Sequence, residues 1–597
     1  MTARLRAVHD RPLDVRVSGG VVRGVRADGD FAWRGIPYAA APIGALRFRA
    51  PQPVVPWSGV RDASAFGPVA PQAHRGQFRG TAPAIPAGED CLTINVLAPA
   101  DARAGAPLPV MVFIHGGGYS TGSSQDFSGQ GTGFVRSGRV LYVSFNYRLG
   151  ALGYLDFSRY STAARPIDAN LGLRDQVAAL RWVHRNIRRF GGDRRNVTVF
   201  GESAGGNAVT TLLATPSARG LFARAIAQSA PPDAVYSRER AAGWAAEFVD
   251  ILRSQAEARG ERARRVLSVT PALPAPSAPS AALARPAIPA VPALSARSAR
   301  SWLPGSSAAS RPPAPLRLPG PSSLAPSPLP FRREAVDETE HGHGDELELL
   351  AAASTAELVS AALILQVRTP TATPGYFCLA PVVDGTFLPE RPLAAMAAGR
   401  ASRVPLIIGT NQREGAVFRG RVDILPRSPA RIAAVFDEAP RSAWQSMRRA
   451  YQGLSTPRAR ADFGGDFAFW SPSVRAAELQ SRFAPVHAYR FDFAPRLLRV
   501  AGLDATHGVE MFALFDSTDE PVARAMTVLG GRSTYAEVGA RMRERWLDFA
   551  CTGSVGADWP AYVEPGRVTL IIDAVDHVES DPQRERRLAW AEFHPNV

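Results

Sequence analysis

The chain has 597 residues, 46% of them hydrophobic, and a formal net charge of +15. That length and apolar content suit a large globular domain with a deep core and exclude wholesale disorder. Every basic residue is arginine, and without lysine the chain can build neither a Walker A phosphate loop nor a Schiff-base site.

At the N-terminus, Arg4, Arg6, His9, Asp10 and Arg11 stand with no apolar stretch among them, which does not read as a signal peptide. From about residue 15 to 252, short apolar runs alternate with helical patterns. Residues 109–114 and 140–145 are continuous apolar runs bounded by loop residues, as expected of strands buried on both faces. Leu173, Val177, Leu180, Val183 and Ile187 recur at helical spacing, with Gly191 and Gly192 as a C-terminal stop. Residues 197–200 read as another buried strand and 208–213 as helix. Strands alternating with helices predict an α/β fold with a central, mostly parallel sheet flanked by helices.

Residues 253–333 differ. Pro, Ala, Ser and Arg dominate, and frequent proline removes backbone donors and blocks helix and sheet interiors. Such a stretch cannot bury enough apolar surface to offset its ordering entropy, so disorder is expected. It holds twelve Arg against Glu257 and Glu261, so most of the positive charge sits here and the remaining body is only mildly basic. The expected reading is an insertion of no catalytic importance, or an out-of-frame translation of GC-rich DNA, rather than a basic arm for nucleic acid. Helical pattern resumes from 345 to 365. Later strand candidates are 406–408, 487–493 and 568–572, and 535–550 reads as a long helix. The whole chain, 1–597, is expected to be one domain that carries this insertion.

Two local motifs carry chemistry. Gly201-Glu202-Ser203-Ala204-Gly205-Gly206 follows the strand at 197–200 and precedes a helix, which is G-x-S-x-G in its required setting. A sharp strand-to-helix turn exposes Ser203 as a nucleophile, and small flanking residues avoid clashes in that turn. The helix N-terminus points at developing negative charge. His115-Gly116-Gly117-Gly118 follows directly on the strand at 109–114. Consecutive glycines let bare N–H groups approach a substrate oxygen, so Gly117, Gly118 and Ala204 are the candidate oxyanion hole.

These motifs, together with 31–39 (FAWRGIPYA), Glu89-Asp90-Cys91-Leu92, 146–150 (NYRLG), 170–176 (NLGLRDQ), 380–385 (APVVDG) and Gly409-Thr410-Asn411, resemble the type-B carboxylesterase and lipase family, an α/β-hydrolase family that includes para-nitrobenzyl esterases. The resemblance runs from about residue 19 to 562, interrupted by the Pro-rich segment. It implies Glu414 as the triad acid, in 409–415, and His507 as the base, in Thr506-His507-Gly508-Val509-Glu510. Ser…Glu…His is the chain order that an α/β-hydrolase needs. The rival histidines are His115, in the oxyanion loop; His184, in a helix; His341 and His343, beside the low-complexity segment; and His487, in a strand pattern. The resemblance also implies ion pairs of Arg34 with Glu89 and Arg148 with Asp175, and a role near the acid for Ser229. Glu202 would tune the field at the nucleophile.

The chain departs from secreted members at Cys91, whose usual partner position is Ala70 here. Residues 73–88 contain no Trp to bind a quaternary amine, which argues against a cholinesterase. Cys91, Cys378 and Cys551 have no metal-ligand spacing and suggest a reducing compartment. No run reaches the roughly 18 apolar residues of a membrane span. The expectation is a soluble, cytoplasmic serine carboxylesterase acting on a small-molecule ester with no metal and no organic cofactor. The alternatives are a lipase, amidase or thioesterase on the same fold, or a non-catalytic binding relative.

Overall fold

The computed structural model describes residues 13–74, 84–102, 105–269 and 344–593. Residues 1–259 and 343–597 form one unit; of the other, 260–342, the description covers the end of one helix. An eleven-stranded sheet runs through the first unit. In chain order its strands are β1 Val25–Ala27, β2 Asp30–Pro37, β3 Thr93–Ala98, β4 Leu108–Ile114, β5 Leu141–Phe145 and β6 Gly192–Glu202. They continue with β7 Arg224–Gln228, β8 Leu406–Asn411, β9 Val486–Phe491, β10 Val568–Ile572 and β11 His577–Ser580. The spatial order is β11-β10-β9-β8-β7-β6-β4-β5-β3-β2-β1. From β10 to β5 every neighbouring pair is parallel, and antiparallel strands finish both edges. The sheet is mostly parallel and flanked by helices, as the strand and helix alternation predicts, and the fold is the α/β-hydrolase fold that the family resemblance implies.

The central strands are apolar throughout because both faces are covered. Phe113, Phe200, Ile226 and Ile407 lie in register across β4, β6, β7 and β8. They belong to the core on one side, with Tyr535, Val538, Met542, Trp546 and Phe549 of helix Arg532–Thr552. The alternate residues Val112, Val199, Ala225 and Ile408 point to the other core. There they meet helix α1, Leu171–Asn186, and helix α2, Ala204–Ala214. The period of two thus splits each strand between two cores.

Three sequence expectations change. The segment at 253–333 does not begin as low-complexity chain: helix α3, Arg238–Val269, continues to residue 269. Ala, Glu and Arg there are good helix formers, and no proline intervenes before Pro271. Gln255 Nε2 donates to Ser360 Oγ at 3.0 Å, and Arg253 pairs with Glu346 at 3.1 Å. The expected disorder of 270–333 lies outside the described residues. Second, Glu89 does not pair with Arg34. Arg47 holds it bidentately at 2.7 and 2.8 Å, while the Arg34 guanidinium lies 5.1 Å above the Phe66 ring. Third, the pattern at 345–365 resolves into two helices, α4 Gly344–Ala352 and α5 Thr355–Ala372. Ser354 starts α5 with a capping box to Glu357. The Arg148–Asp175 pair forms as expected, fully buried at 2.7 and 2.8 Å. No single helix among the described residues is long and apolar enough to cross a membrane.

Candidate active site

Chain direction places the site. From β4 the chain passes to β5 on one side, and from β6 it passes to β7 on the other. The carboxyl ends of β4 and β6 therefore border the crevice where open α/β sheets bind ligands. Ser203 sits there, between β6 and α2, at φ 59° and ψ −122°. A non-glycine residue at positive φ costs of order 1–3 kcal/mol and persists because the surroundings fix it. Ser203 N–H donates to the Gln228 carbonyl at 3.0 Å, and its own carbonyl accepts from Asn207 N–H at 2.9 Å. The flanking glycines are sterically required. A Cβ on Gly205 would lie 2.1 Å from the Ile114 carbonyl oxygen, and one on Gly206 would lie 2.6 Å from that of Gln228.

The loop after β4 supplies N–H groups beside Ser203. Gly117, Gly118 and Tyr119 follow one another at φ 105°, 60° and 56°. Among the described residues, the N–H groups of Gly117 and Gly118 donate to no other protein group. Ala204 opens α2, so its N–H has no intrahelical acceptor. The loop is pinned from three directions. Tyr119 Oη donates to Asn207 Oδ1 at 2.6 Å, Gly150 N–H donates to the Tyr119 carbonyl at 2.7 Å, and Tyr147 Oη donates to the His115 carbonyl at 2.6 Å. His115 itself is buried, stacked on Tyr147, and its pKa is pushed down to about 4 by burial.

Glu414 and His507 meet although 93 residues separate them. Glu414 follows β8, and His507 precedes helix α6, Val509–Leu514. His507 Nδ1 is 2.6 Å from Glu414 Oε2. The other carboxylate oxygen accepts from Ser229 Oγ at 2.7 Å and from Asn411 N–H at 2.6 Å. The Glu414 carboxylate is thus held by Ser229, Asn411 and His507. His507 Nε2 lies 3.2 Å from Glu202 Oε1. Ser203 Oγ makes no hydrogen bond among the described residues.

A third carboxylate, which the sequence motifs left unassigned, stands behind this group. Glu510 is fully buried, accepting from Asn411 Nδ2 at 2.6 Å and Gln228 Nε2 at 3.5 Å. Its one sequence signal is a carboxylate in the otherwise apolar run of α6. The three carboxylates shape the local electrostatics. Burial alone would lower the His507 pKa; Glu202 and Glu414 overcome it and raise the pKa. Burial pushes both Glu202 and Glu510 above the usual carboxylate range; at Glu202 the His507 charge opposes it and Glu414 adds to it, and at Glu510 both Glu202 and Glu414 add to it.

Gly118, Ser203 and Ala204 open together onto one pocket that is partly open to solvent. Its walls include Phe377, Leu379, Phe418, Ile424 and Phe469, with Cys378 and Gln366. Phe418 and Phe469 also flank the His507 ring, at centroid distances of 5.1 and 4.5 Å. Gly117 lies next to this wall rather than on it. The rival histidines stand elsewhere: His184 is on α1, and His487 is on β9 against Trp559. His341 and His343 lie outside the described residues. Among the described residues no cluster could hold a metal ion.

Residues 11–270 and 334–594 match the model of the Carboxylesterase family. The chain is 31% identical over 576 residues to the para-nitrobenzyl esterase of Bacillus subtilis (strain 168), covering 95% of this chain and 96% of that one. Over 224 residues, 37% of this chain and 43% of the relative, it is 43% identical to the phenmedipham hydrolase of Pseudarthrobacter oxydans. A solved PNB esterase structure superposes with a TM-score of 0.74 at 30% identity, covering 97% of this chain and 99% of that one.

Proposed function

Because this chain belongs to the carboxylesterase family and is a carboxylic ester hydrolase, we propose that Ser203, His507 and Glu414 are its catalytic triad and that hydrolysis passes through an acyl-enzyme on Ser203. The observation that carries the reading is the strained turn at Ser203, which opens on the same pocket as Gly118 and Ala204. For this, His507 Nε2, 3.2 Å from Glu202 in the structure, has to reach Ser203 Oγ; such bonds are often loose before the substrate arrives. His507 takes the hydroxyl proton as Ser203 Oγ attacks the ester carbonyl carbon. The carbonyl oxygen becomes an oxyanion held by the N–H groups of Gly117, Gly118 and Ala204, each contributing about 3–4 kcal/mol. His507 then passes its proton to the leaving alcohol, and the acyl group stays on Ser203. Water, deprotonated by His507, attacks the acyl carbon and releases the acid. Glu414 keeps the imidazole oriented and stabilises its charged form.

The apolar walls support an uncharged ester. The three unpaired cysteines support a reducing, cytoplasmic setting. The test is hydrolysis of p-nitrophenyl acetate and butyrate by the native chain and by Ser203→Ala and His507→Ala. Turnover by the native chain that falls by a factor of 10³ or more in either variant supports the triad. A Ser203→Ala protein that keeps native turnover sinks it.

A further inference from the structure

Gln366 stands between two cavities. The first is the pocket at Ser203. The second, a cleft partly open to solvent, lies beyond it along α5. The two share two continuous walls. In the loop after β4, Gly118 and Tyr119 face the first cavity, and Ser120 and Thr121 face the second. On α5, Thr369 and Pro370 face the first, Leu358 and Ala362 face the second, and Gln366 faces both. Leu358, Ala362, Gln366 and Pro370 recur at intervals of four residues, so they form one stripe along the helix. From Gln366 to Leu358 the helix advances about 12 Å at 1.5 Å per residue. The opposite wall of the second cavity is Leu149, Ala151 and Leu152. Gln366, buried at 8% exposure, puts a polar amide in an otherwise apolar stripe, at the junction.

We propose that the second cavity is the distal part of the substrate cleft, that it receives the far end of an extended apolar chain on the ester, and that Gln366 sets how readily a chain passes. The proposal rests on the reading of Ser203 as the nucleophile. A chain that ends in the first cavity gains nothing from the second. Each methylene that passes Gln366 leaves water for apolar walls, which is worth about fourfold in kcat/KM. The Gln366 amide opposes that passage by its bulk and by the polar surface it presents.

The test uses two series: p-nitrophenyl esters from acetate to dodecanoate, and acetate esters of linear alcohols of matching length. The native chain is compared with Gln366→Ala, which opens the junction, and Leu363→Trp, which fills the second cavity from a residue of α5 that lines it. The readout is the ratio of kcat/KM on long-chain to short-chain esters. Gln366→Ala is expected to raise this ratio about tenfold in one series, and Leu363→Trp to lower it by about as much. The series that responds identifies whether the acyl or the alcohol part occupies the cavity. Unchanged ratios for both variants in both series overturn the proposal. If the native chain hydrolyses none of these esters, the Ser203 reading fails instead. Calorimetric binding of dodecanoate, which Leu363→Trp must then weaken, still decides the cavity proposal.

Discussion

His507 Nε2 lies 3.2 Å from Glu202 Oε1 while Nδ1 lies 2.6 Å from Glu414 Oε2, so one imidazole is held between two carboxylates. Both charges favour the protonated ring, and its pKa is raised above the ordinary histidine value. A protonated His507 cannot accept the Ser203 proton. Turnover is therefore expected to rise with pH through this raised pKa and to fall off below it. Glu202→Gln removes one of the two charges and should move the rising limb of log kcat/KM to lower pH by about one unit or more. A limb that stays in place would show that Glu202 does not act on the base.

Arg413 clamps the segments that carry Glu414 and His507. Its guanidinium binds Asp462 and Asp504, each at 2.8 Å, and its N–H donates to the Ala505 carbonyl at 2.9 Å. Arg413→Met removes the buried guanidinium from two half-buried carboxylates, which keep only Arg586 at 3.8 Å from Asp462 and Arg458 at 3.0 Å from Asp504, at a cost of about 2 kcal/mol of stability by urea unfolding. It should also lower kcat while leaving KM nearly unchanged, because the Glu414–His507 geometry loosens and the pocket walls do not. A variant that loses stability with native kcat would make Arg413 purely structural.

Glycine substitutions separate a tight approach from free space. Gly205→Ala forces a Cβ against the Ile114 carbonyl and should cost at least about 1–3 kcal/mol, with turnover lost as the Ser203 turn distorts. Gly243→Ala, on the exposed face of α3 with no atom within 4 Å, should instead stabilise the chain by about 1 kcal/mol through helix propensity. Thermal unfolding of the two variants tests the contrast, and equal shifts would refute it.

The Glu89 pairing makes a further comparison possible. Arg47 binds Glu89 and donates to the Ala351 and Ala353 carbonyls at 3.1 and 2.8 Å, where α4 meets α5. Arg47→Met should cost about 3 kcal/mol and speed proteolysis near that junction. Arg34→Met removes a guanidinium stacked on Phe66 and should cost about 0.5–1 kcal/mol. The reverse ranking in limited proteolysis would restore Arg34 as the partner.

What could be read from the sequence was local. The strand, the turn and the helix at 197–213 are contiguous, so bare backbone and tight turns force Gly201, Gly205 and Gly206 around Ser203. The same holds for the glycines after β4, whose N–H groups must reach an oxygen. The continuous apolar strands announced a sheet covered on both faces. Glu414 and His507 were named through the family resemblance, since nothing in their own neighbourhoods marks them out.

Tertiary structure alone decided the long-range partners. Strand order puts the ends of β6, β8 and α6 side by side, which brings Glu202, Glu414 and Glu510 around one imidazole. It gave Glu89 to Arg47 rather than Arg34. It set Gln255 and Arg253 of α3 against α5 and α4. It also laid α5 along the loop after β4, so that Gln366 divides two cavities. A sequence specifies which groups are present and the backbone each short stretch can adopt. Which buried charges face one another depends on where separate loops leave the sheet, and that is set only when the strands pack in order.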